Sequence, residues 1–528
     1  MMKKAIKKLL AALLAVAMVC AMAIPAFAYN PGETKEDLNT KHDYGAFQIF
    51  EGVISKDNET LSDVNWGQNI TEPDIFLANL KNDPTIGEKF ETAATAQDVL
   101  AVISKWHDSD DNSIAFARVV CHYLYPDANA NPTPVATDHT GGINIPKSGY
   151  YLIVDTSTFS DDDFYHAYNS FFLLNVPQTP YVVLVNHKVV KPTVEKEVYD
   201  NNDIGSTGGW GSSADHAINE PFQFRLIAKL PASENNGRAY DYYKEYAVCF
   251  TDTLSDGITF DKLDTVEITN GDGSTPQVIN NYTLDPNNPQ SSFKLSIDDV
   301  KTCVPDLNKG ATITVTYTAH LNEKAYVNTV GGGTDNKNSV YLEYSNNPRI
   351  STSLDHTTTS EVCVYTYQLN NTKHQDSENG PVLEGAGFRL YSGKDCTKEQ
   401  EIKLKKNITD GTYSPYFGTD AGDEMFSDEH GQFNVKGLDA GTYYLRETKT
   451  PDDYNACADK EIVISATHDV NHVSLSGNLS TTIINKKAGG ITLPSTGGIG
   501  TTIFYVVGGG LMVAAIVLLV TKKRMENK

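Results

Sequence analysis

The sequence predicts an all-β fold of tandem Ig-like β-sandwiches, the first domain carrying a helical insertion. Three observations carry this. Tyrosine (28) and phenylalanine (20) are abundant and alternate with β-branched residues in short runs punctuated by Asn, Asp and Gly. The 528 residues are too many for one hydrophobic core and suit about three domains. Helical apolar spacing is confined to the first third, in "TAQDVLAVISKW" (95–106) and "SIAFARVVCHYL" (113–124).

Both ends read as targeting segments. Residues 1–28 carry Lys3, Lys4, Lys7 and Lys8, then an apolar run, then "AFA" before Tyr29, the order of a cleaved secretory signal. Residues 501–520 hold no charge and are long enough to cross a bilayer. Lys522, Lys523 and Arg524 follow, which by the positive-inside rule leaves the tail inside the cell and the body outside. Between the ends, residues 29–188 form the β-rich domain with the helical insertion. A proline-marked seam, "VNHKVVKPTVEKEV", opens a second unit over 189–350 that closes at the turn signal "SNNP". The Ser/Thr-rich "STSLDHTTTS" leads to a third unit over 361–487, and 488–528 is the tail. All-β units of this size joined by short linkers read as sandwiches in series.

Composition removes several function classes. The formal charge is −24, and since both ends are basic the body is more acidic still. Such a surface repels phosphate backbones, so nucleic acid is not an expected partner. Six cysteines lie outside the signal, none in a C-x-x-C pair, which argues against a zinc ribbon or a thioredoxin-like site. No G-x-S-x-G elbow, P-loop or H-E-x-x-H motif is present. "DSDDNS" (108–113) starts like a calcium loop, but Ser113 replaces the required Gly and Val119 the bidentate Glu. "HDVNH" sets His468 and His472 four apart in a strand-and-turn context, where that spacing aligns nothing and a solvated loop is expected. Neither a metal nor a cofactor is expected.

Polar residues on apolar strand faces are more informative. In "VCVYTYQLNNTKHQD", Tyr365, Tyr367, Leu369 and Lys373 fall on one side. Tyr443, Leu445 and Glu447 share a face, as do Ile483 and Asn485. A lysine, a carboxylate and an asparagine facing one core are costly unless they meet. If they meet, burial lowers the lysine pKa and raises that of the glutamate. The neutral amine can then attack the carboxamide carbon, ammonia leaves, and an isopeptide bond remains. The competing reading has Lys373 snorkelling, Asn485 capping a strand and Glu447 paired with an arginine. In the middle unit, Val194, Lys196 and Val198 share a face, and so do Val248, Phe250 and Asp252. Asn338 and Asn346 have the same parity as Val340, Leu342 and Tyr344, so either could partner Lys196; Asn338 is preferred.

These residues carry a family resemblance. "LEGAGFRLY" and "YYLRETKTPDDY" make the third unit similar to the collagen-adhesin B-type domain of Gram-positive surface proteins. The resemblance implies a Lys373–Asn485 crosslink with Glu447 as the catalytic acid. "YAVCFTDTLSDGITF" resembles the second domain of sortase-assembled major pilins, which implies that Asp252 catalyses a bond from Lys196 to Asn338, or alternatively Asn346. "ITLPSTGG" with its apolar span and basic tail resembles a sortase sorting signal, implying cleavage within Leu493, Pro494, Ser495, Thr496 and Gly497, between Thr496 and Gly497. "YGAFQIFEGVI" looks like a pilin N-terminal domain, which in that family ends in V-x-V-Y-P-K. Here Val183, Val185 and Lys188 match, while Asn186 and His187 replace Tyr-Pro, and Lys191 is the rival polymerisation lysine. The resemblance implies a fimbrial subunit that is not an enzyme. It also implies as partners sortase, other copies of the chain, minor pilins, peptidoglycan and a possible host ligand. The alternative is a wall-anchored adhesin or a tip or base pilin.

Overall fold

The computed structural model describes residues 42–54, 61–107, 110–138, 142–158, 170–176, 181–184, 191–202, 208–233, 239–286, 291–328, 336–477, 479–489 and 499–526. The expected signal, the five sorting-motif residues and Lys188 lie outside them.

In the first region, Tyr44–Ile54 is the central strand, flanked by Leu61–Trp66 on one side and Gly149–Asp155 on the other, with Phe172–Val176 beyond. The helical insertion is Pro73–Asn82, Ala96–Ile103 and Asp111–Leu124. The second begins at a capping box in which Thr95 and Asp98 bond each other's backbone N–H. Asp110, from the calcium-like stretch, stands at the N-cap of the third helix. The first helix, opened by a proline, is not among the sequence expectations. The apolar faces of these helices (Phe76, Leu80, Val99, Ile114, Val120) join Phe47, Ile49 and Leu152 of the sheet in one core.

The second region is a sandwich of two sheets. One runs Gln277–Val278, Ile258–Asn270, Ala311–Leu321, Pro221–Leu230, Thr193–Asp200, Gly209–Gly211. The other runs Ser213–Asp215, Ser360–Tyr365, Lys337–Ser345, Val248–Leu254, Ser292–Ile297, Thr283–Asp285. Strict alternation builds the core between them: along Pro221–Leu230 every second residue (Phe222, Phe224, Leu226, Ala228, Leu230) is buried.

The third region repeats the plan. One sheet orders Leu404–Lys406, Tyr413–Pro415, Val435–Leu438, Tyr367–Gln375, Ser480–Asn485; the other orders Glu401–Ile402, Gly387–Tyr391, Gly441–Lys449, Lys460–His468, Val473–Gly477. Phe388, Leu390, Leu445, Ile462 and Ile483 are among its core. Ser360–Tyr365 pairs within the second sandwich and Tyr367–Gln375 within the third, so the chain changes sheets at Thr366 with no intervening linker. Leu354–His356, inside the Ser/Thr-rich join, adds to the edge of Lys337–Ser345.

Residues Ile499–Glu526 form one helix, and Val506–Arg524 within it is long and apolar enough to cross a membrane. The fold class is all-β sandwiches with a helical insertion in the first. Among the described residues the six cysteines form no disulfide; Cys121, Cys249, Cys363 and Cys396 are buried as small apolar side chains.

Candidate functional site: two buried lysine–carboxylate–asparagine clusters

In the third sandwich, Lys373 and Asn485 come from the first and last strands, which are parallel neighbours pairing Lys373 with Ile483 and Gln375 with Asn485. Both residues are fully buried. Lys373 Nζ donates to Asn485 Oδ1. Glu447 reaches in from the facing sheet: its Oε1 lies 3.4 Å from Lys373 Nζ and accepts from Asn485 Nδ2 at 2.7 Å. Glu447 Oε2 is held by the Cys457 backbone N–H (2.9 Å) and the Thr450 hydroxyl (3.2 Å). The Lys373 ammonium sits 5.3 Å from the Phe388 ring centroid, and Phe388 stacks on Phe433. Desolvation lowers the Lys373 pKa, an effect that nearby Cys457 and Glu447 oppose. The competing reading of these three residues, as a snorkelling lysine, a cap and an arginine partner, does not match these contacts.

The second sandwich repeats the chemistry with different strands. Lys196 donates from its Nζ to Asp252 Oδ2, both side chains fully buried. The Tyr317 hydroxyl completes the group: it lies 3.2 Å from Lys196 Nζ, donates to Asp252 Oδ1 at 3.2 Å and accepts from Asn338 Nδ2 at 2.6 Å. Lys196 and Tyr317 belong to one sheet, Asp252 and Asn338 to the other, where Asp252 pairs with Val340 and Leu254 with Asn338. The lysine again lies over aromatic faces, 5.3 Å from Phe224 and 5.4 Å from Tyr317. Burial pulls the Lys196 pKa down to about 8 and pushes Asp252 up. Each shift opposes an ion pair and favours a neutral amine beside a protonated acid. Among the described residues Asn338 Oδ1 has no hydrogen-bond partner, whereas Asn346 Oδ1 accepts from Ser353 away from this cluster. Tyr317 was missed in the sequence because a tyrosine on the core face of "TVTYTAH" looks like any other core aromatic.

Lys191 lies at the entrance to the second sandwich, mostly buried, with Nζ 3.7 Å from Asp355 Oδ2. His468 corrects an expectation: it is not in a solvated loop but ends the strand Lys460–His468, and its side chain is only 6% exposed, packed at the seam with the second sandwich. The edge of that sandwich reaches the third domain here, and the packing buries what the sequence pattern places in a turn. His472 is exposed.

Comparison with known proteins agrees with the two C-terminal elements. Residues 369–478 match the SpaA prealbumin-like fold domain, and residues 485–527 match the LPXTG cell wall anchor motif. The chain is thus a cell-wall-anchored surface protein, with its C-terminal apolar helix a membrane-spanning segment only until the anchor is processed. Its last folded unit is similar to the SpaA prealbumin-like domain.

No curated protein sequence matches the chain. Among solved structures, the T6 backbone pilin of serotype M6 Streptococcus pyogenes is 16% identical with a TM-score of 0.46, over 85% of this chain and 97% of its own. The major pilin SpaD of Corynebacterium diphtheriae is 20% identical with a TM-score of 0.37, over 65% and 80%. The major pilin RrgB of Streptococcus pneumoniae is 15% identical with a TM-score of 0.38, over 68% and 88%. Likeness at this level has no bearing on function.

Proposed function

We propose that this chain is the shaft subunit of a covalently polymerised, wall-anchored fimbria, stiffened by two intramolecular Lys–Asn isopeptide bonds. The observation that carries the reading is the recurrence, in two separate cores, of a buried lysine, a carboxylate and an asparagine over an aromatic floor. Burying a charged pair rarely improves stability over an apolar core, so one such cluster is unusual and two argue for chemistry.

In the third domain the Lys373 ammonium passes a proton to Glu447, and the neutral amine attacks Cγ of Asn485. The acid beside the Asn485 amide gives that proton to the departing nitrogen, which leaves as ammonia when its bond to Cγ breaks; the carboxylate then takes the surplus proton from Nζ, and an amide joins Nζ to Cγ. In the second domain Asp252 takes the place of Glu447. Tyr317 bridges Asp252 to the Asn338 amide and relays the proton to the leaving nitrogen. Neither reaction needs a cofactor, and each happens once per molecule, so the chain is not a turnover enzyme.

For assembly, sortase cleaves between Thr496 and Gly497 and holds Thr496 as a thioester. It then passes that acyl group to an amine: a lysine of the next copy extends the shaft, and a peptidoglycan precursor ends it. Lys188 is the preferred lysine because Lys191 is engaged with Asp355. Asn186 and His187, in place of the usual Tyr-Pro, keep a second reading in play, that of a wall-anchored adhesin or a tip or base pilin. The test of the crosslinks is the denatured mass of the full chain, which should fall short of the sequence mass (after signal removal) by two ammonia molecules. A mass with no deficit would overturn the crosslinking.

A further inference from the structure

The second and third sandwiches meet at a seam crowded with titratable groups that the crosslinking chemistry does not use. Asp200 ends the strand Thr193–Asp200, Asp215 ends Ser213–Asp215, and His468 ends Lys460–His468 of the third domain. Their ligand atoms lie within 4.8 Å of one another. His468 Nε2 is 3.7 Å from Asp200 Oδ2 and 3.7 Å from Asp215 Oδ2. Both aspartates are fully buried. Asp215 Oδ2 accepts from the Tyr367 hydroxyl at 2.8 Å, but Asp215 Oδ1, equally enclosed, has no hydrogen-bond partner among the described residues. A second group of His216, Glu220 and Asp439 adjoins it, and burial, reinforced by the neighbouring Asp215 carboxylate, pushes Asp439 well above the ordinary carboxylate range.

A carboxylate oxygen enclosed without a partner beside a second buried carboxylate and an imidazole is costly. The imidazole is also oriented. His468 Nδ1 lies 2.9 Å from Ser213 Oγ. In the tautomer that donates Nδ1–H to Ser213, the Nε2 lone pair faces the two aspartates, the arrangement found at metal-ligating histidines. The spacing fits as well. Ligands bound to zinc at about 2.1 Å stand roughly 3.4 Å apart at tetrahedral angles, close to the separations here. One nitrogen and carboxylate oxygens suit a first-row divalent cation better than calcium, which takes oxygen alone.

We propose that Asp200, Asp215 and His468 bind a single first-row divalent cation, Zn²⁺ or a close relative, that clasps the second sandwich to the third. The ligands come from both domains, so the ion acts only when they are docked. It supplements the direct bonds across the seam, such as Ile218 N–H to Gly437 O (3.0 Å) and Asn219 Nδ2 to Pro415 O (2.9 Å). It would add to the shaft a joint that assembles and releases with cation supply, which an isopeptide cannot do.

The test uses the tag-free full chain in detergent, stripped with a chelator and titrated with Zn²⁺ by calorimetry and with Co²⁺ by visible absorption. One ion per chain is expected, with a Co²⁺ band typical of nitrogen and oxygen ligands. Asp215→Asn and His468→Gln should each abolish binding. Ser213→Ala, which removes only the partner that orients the imidazole, should loosen it about tenfold, and His472→Gln should leave it unchanged. Retention of the two-ammonia mass deficit and an unchanged circular dichroism spectrum would show that the variants fold. Failure of the unaltered chain to bind either metal would overturn the proposal, as would binding that survives in both Asp215→Asn and His468→Gln. An imidazolium, rather than a metal, holding the aspartates would appear as the first of these results.

Discussion

Lys373 and Asn485 sit on adjacent parallel strands, two residues out of register, with Lys373 Nζ against the Asn485 side-chain oxygen and both side chains fully buried. Those strands are the first and last of their domain. A covalent link between them would close a loop of 112 positions. A pull entering at one strand and leaving at the other would then pass through the bond rather than through the fold.

Glu447→Gln should leave the third-domain crosslink unformed, because Gln cannot take the ammonium proton. The denatured mass should rise by one ammonia relative to the unaltered chain, apart from the substitution itself. By analogy with a disulfide closing a loop of this length, the domain should lose about 4–5 kcal/mol of unfolding free energy. Denaturant unfolding followed at the third domain would measure it. An unchanged deficit would show that Glu447 is dispensable.

In the second sandwich the two asparagines make opposite predictions. Asn338→Ala should restore one ammonia to the mass, whereas Asn346→Ala, whose side chain serves Ser353, should not. Asp252→Asn should also block the bond. Tyr317→Phe removes the only hydroxyl joining Asp252 to Asn338 among the described residues, and should leave a mixture of crosslinked and uncrosslinked chains that converts slowly. Loss of the bond in Asn346→Ala, with retention in Asn338→Ala, would reverse the assignment.

The uncrosslinked Asn338→Ala chain should also show a pH dependence that the parent lacks. Folded Lys196 titrates at about 8, below its ordinary 10.5, because burial disfavours the ammonium. Between those values the unfolded state holds more protons than the native state, so the stability of the second sandwich rises with pH across that window. Asp252, raised from 3.8, acts oppositely in acid: native protons are lost as pH climbs through its folded value, and stability falls. Once Nζ is an amide nitrogen it no longer titrates. The alkaline slope should therefore be present in Asn338→Ala and absent in the parent, as read by urea unfolding at a series of pH values. Equal slopes in both chains would mean the parent amine is free.

How much of this was legible in the sequence depended on whether a residue's neighbours are local. Strand parity placed Lys373, Glu447, Asn485, Lys196 and Asp252 on core faces, since a period of two needs only the segment itself. It could not separate Asn338 from Asn346, which share parity. That distinction arises where Lys337–Ser345 crosses Val248–Leu254, opposite Leu254 rather than near Ser353. Tyr317 was invisible for the same reason, its role being set by three partners 21 to 121 positions away. His468 was misread because its burial depends on the edge of a different domain, where Ser213 and Asp215 lie more than two hundred residues earlier. Thr366, where the chain steps from one sheet to the next, carries no turn signal because the buried run from Val362 to Tyr367 continues through it.

The remaining prediction concerns which lysine receives the next subunit. A sortase acyl-enzyme needs an amine that is exposed and free to approach a thioester. Lys191 Nζ is held 3.7 Å from Asp355 Oδ2, with a side chain only 16% exposed, so its use would require breaking that contact and opening the edge around Leu354–His356. Lys188, three positions earlier, is the proposed acceptor. On cells expressing the chain with its sortase, Lys188→Ala should abolish the ladder of covalent multimers while wall-anchored monomer persists, because anchoring through Thr496 needs no lysine of this chain. Lys191→Ala should leave the ladder intact. A ladder that survives Lys188→Ala and vanishes with Lys191→Ala would move the acceptor to Lys191. Absence of any ladder from the unaltered chain would favour the wall-anchored adhesin or a tip or base subunit over the shaft.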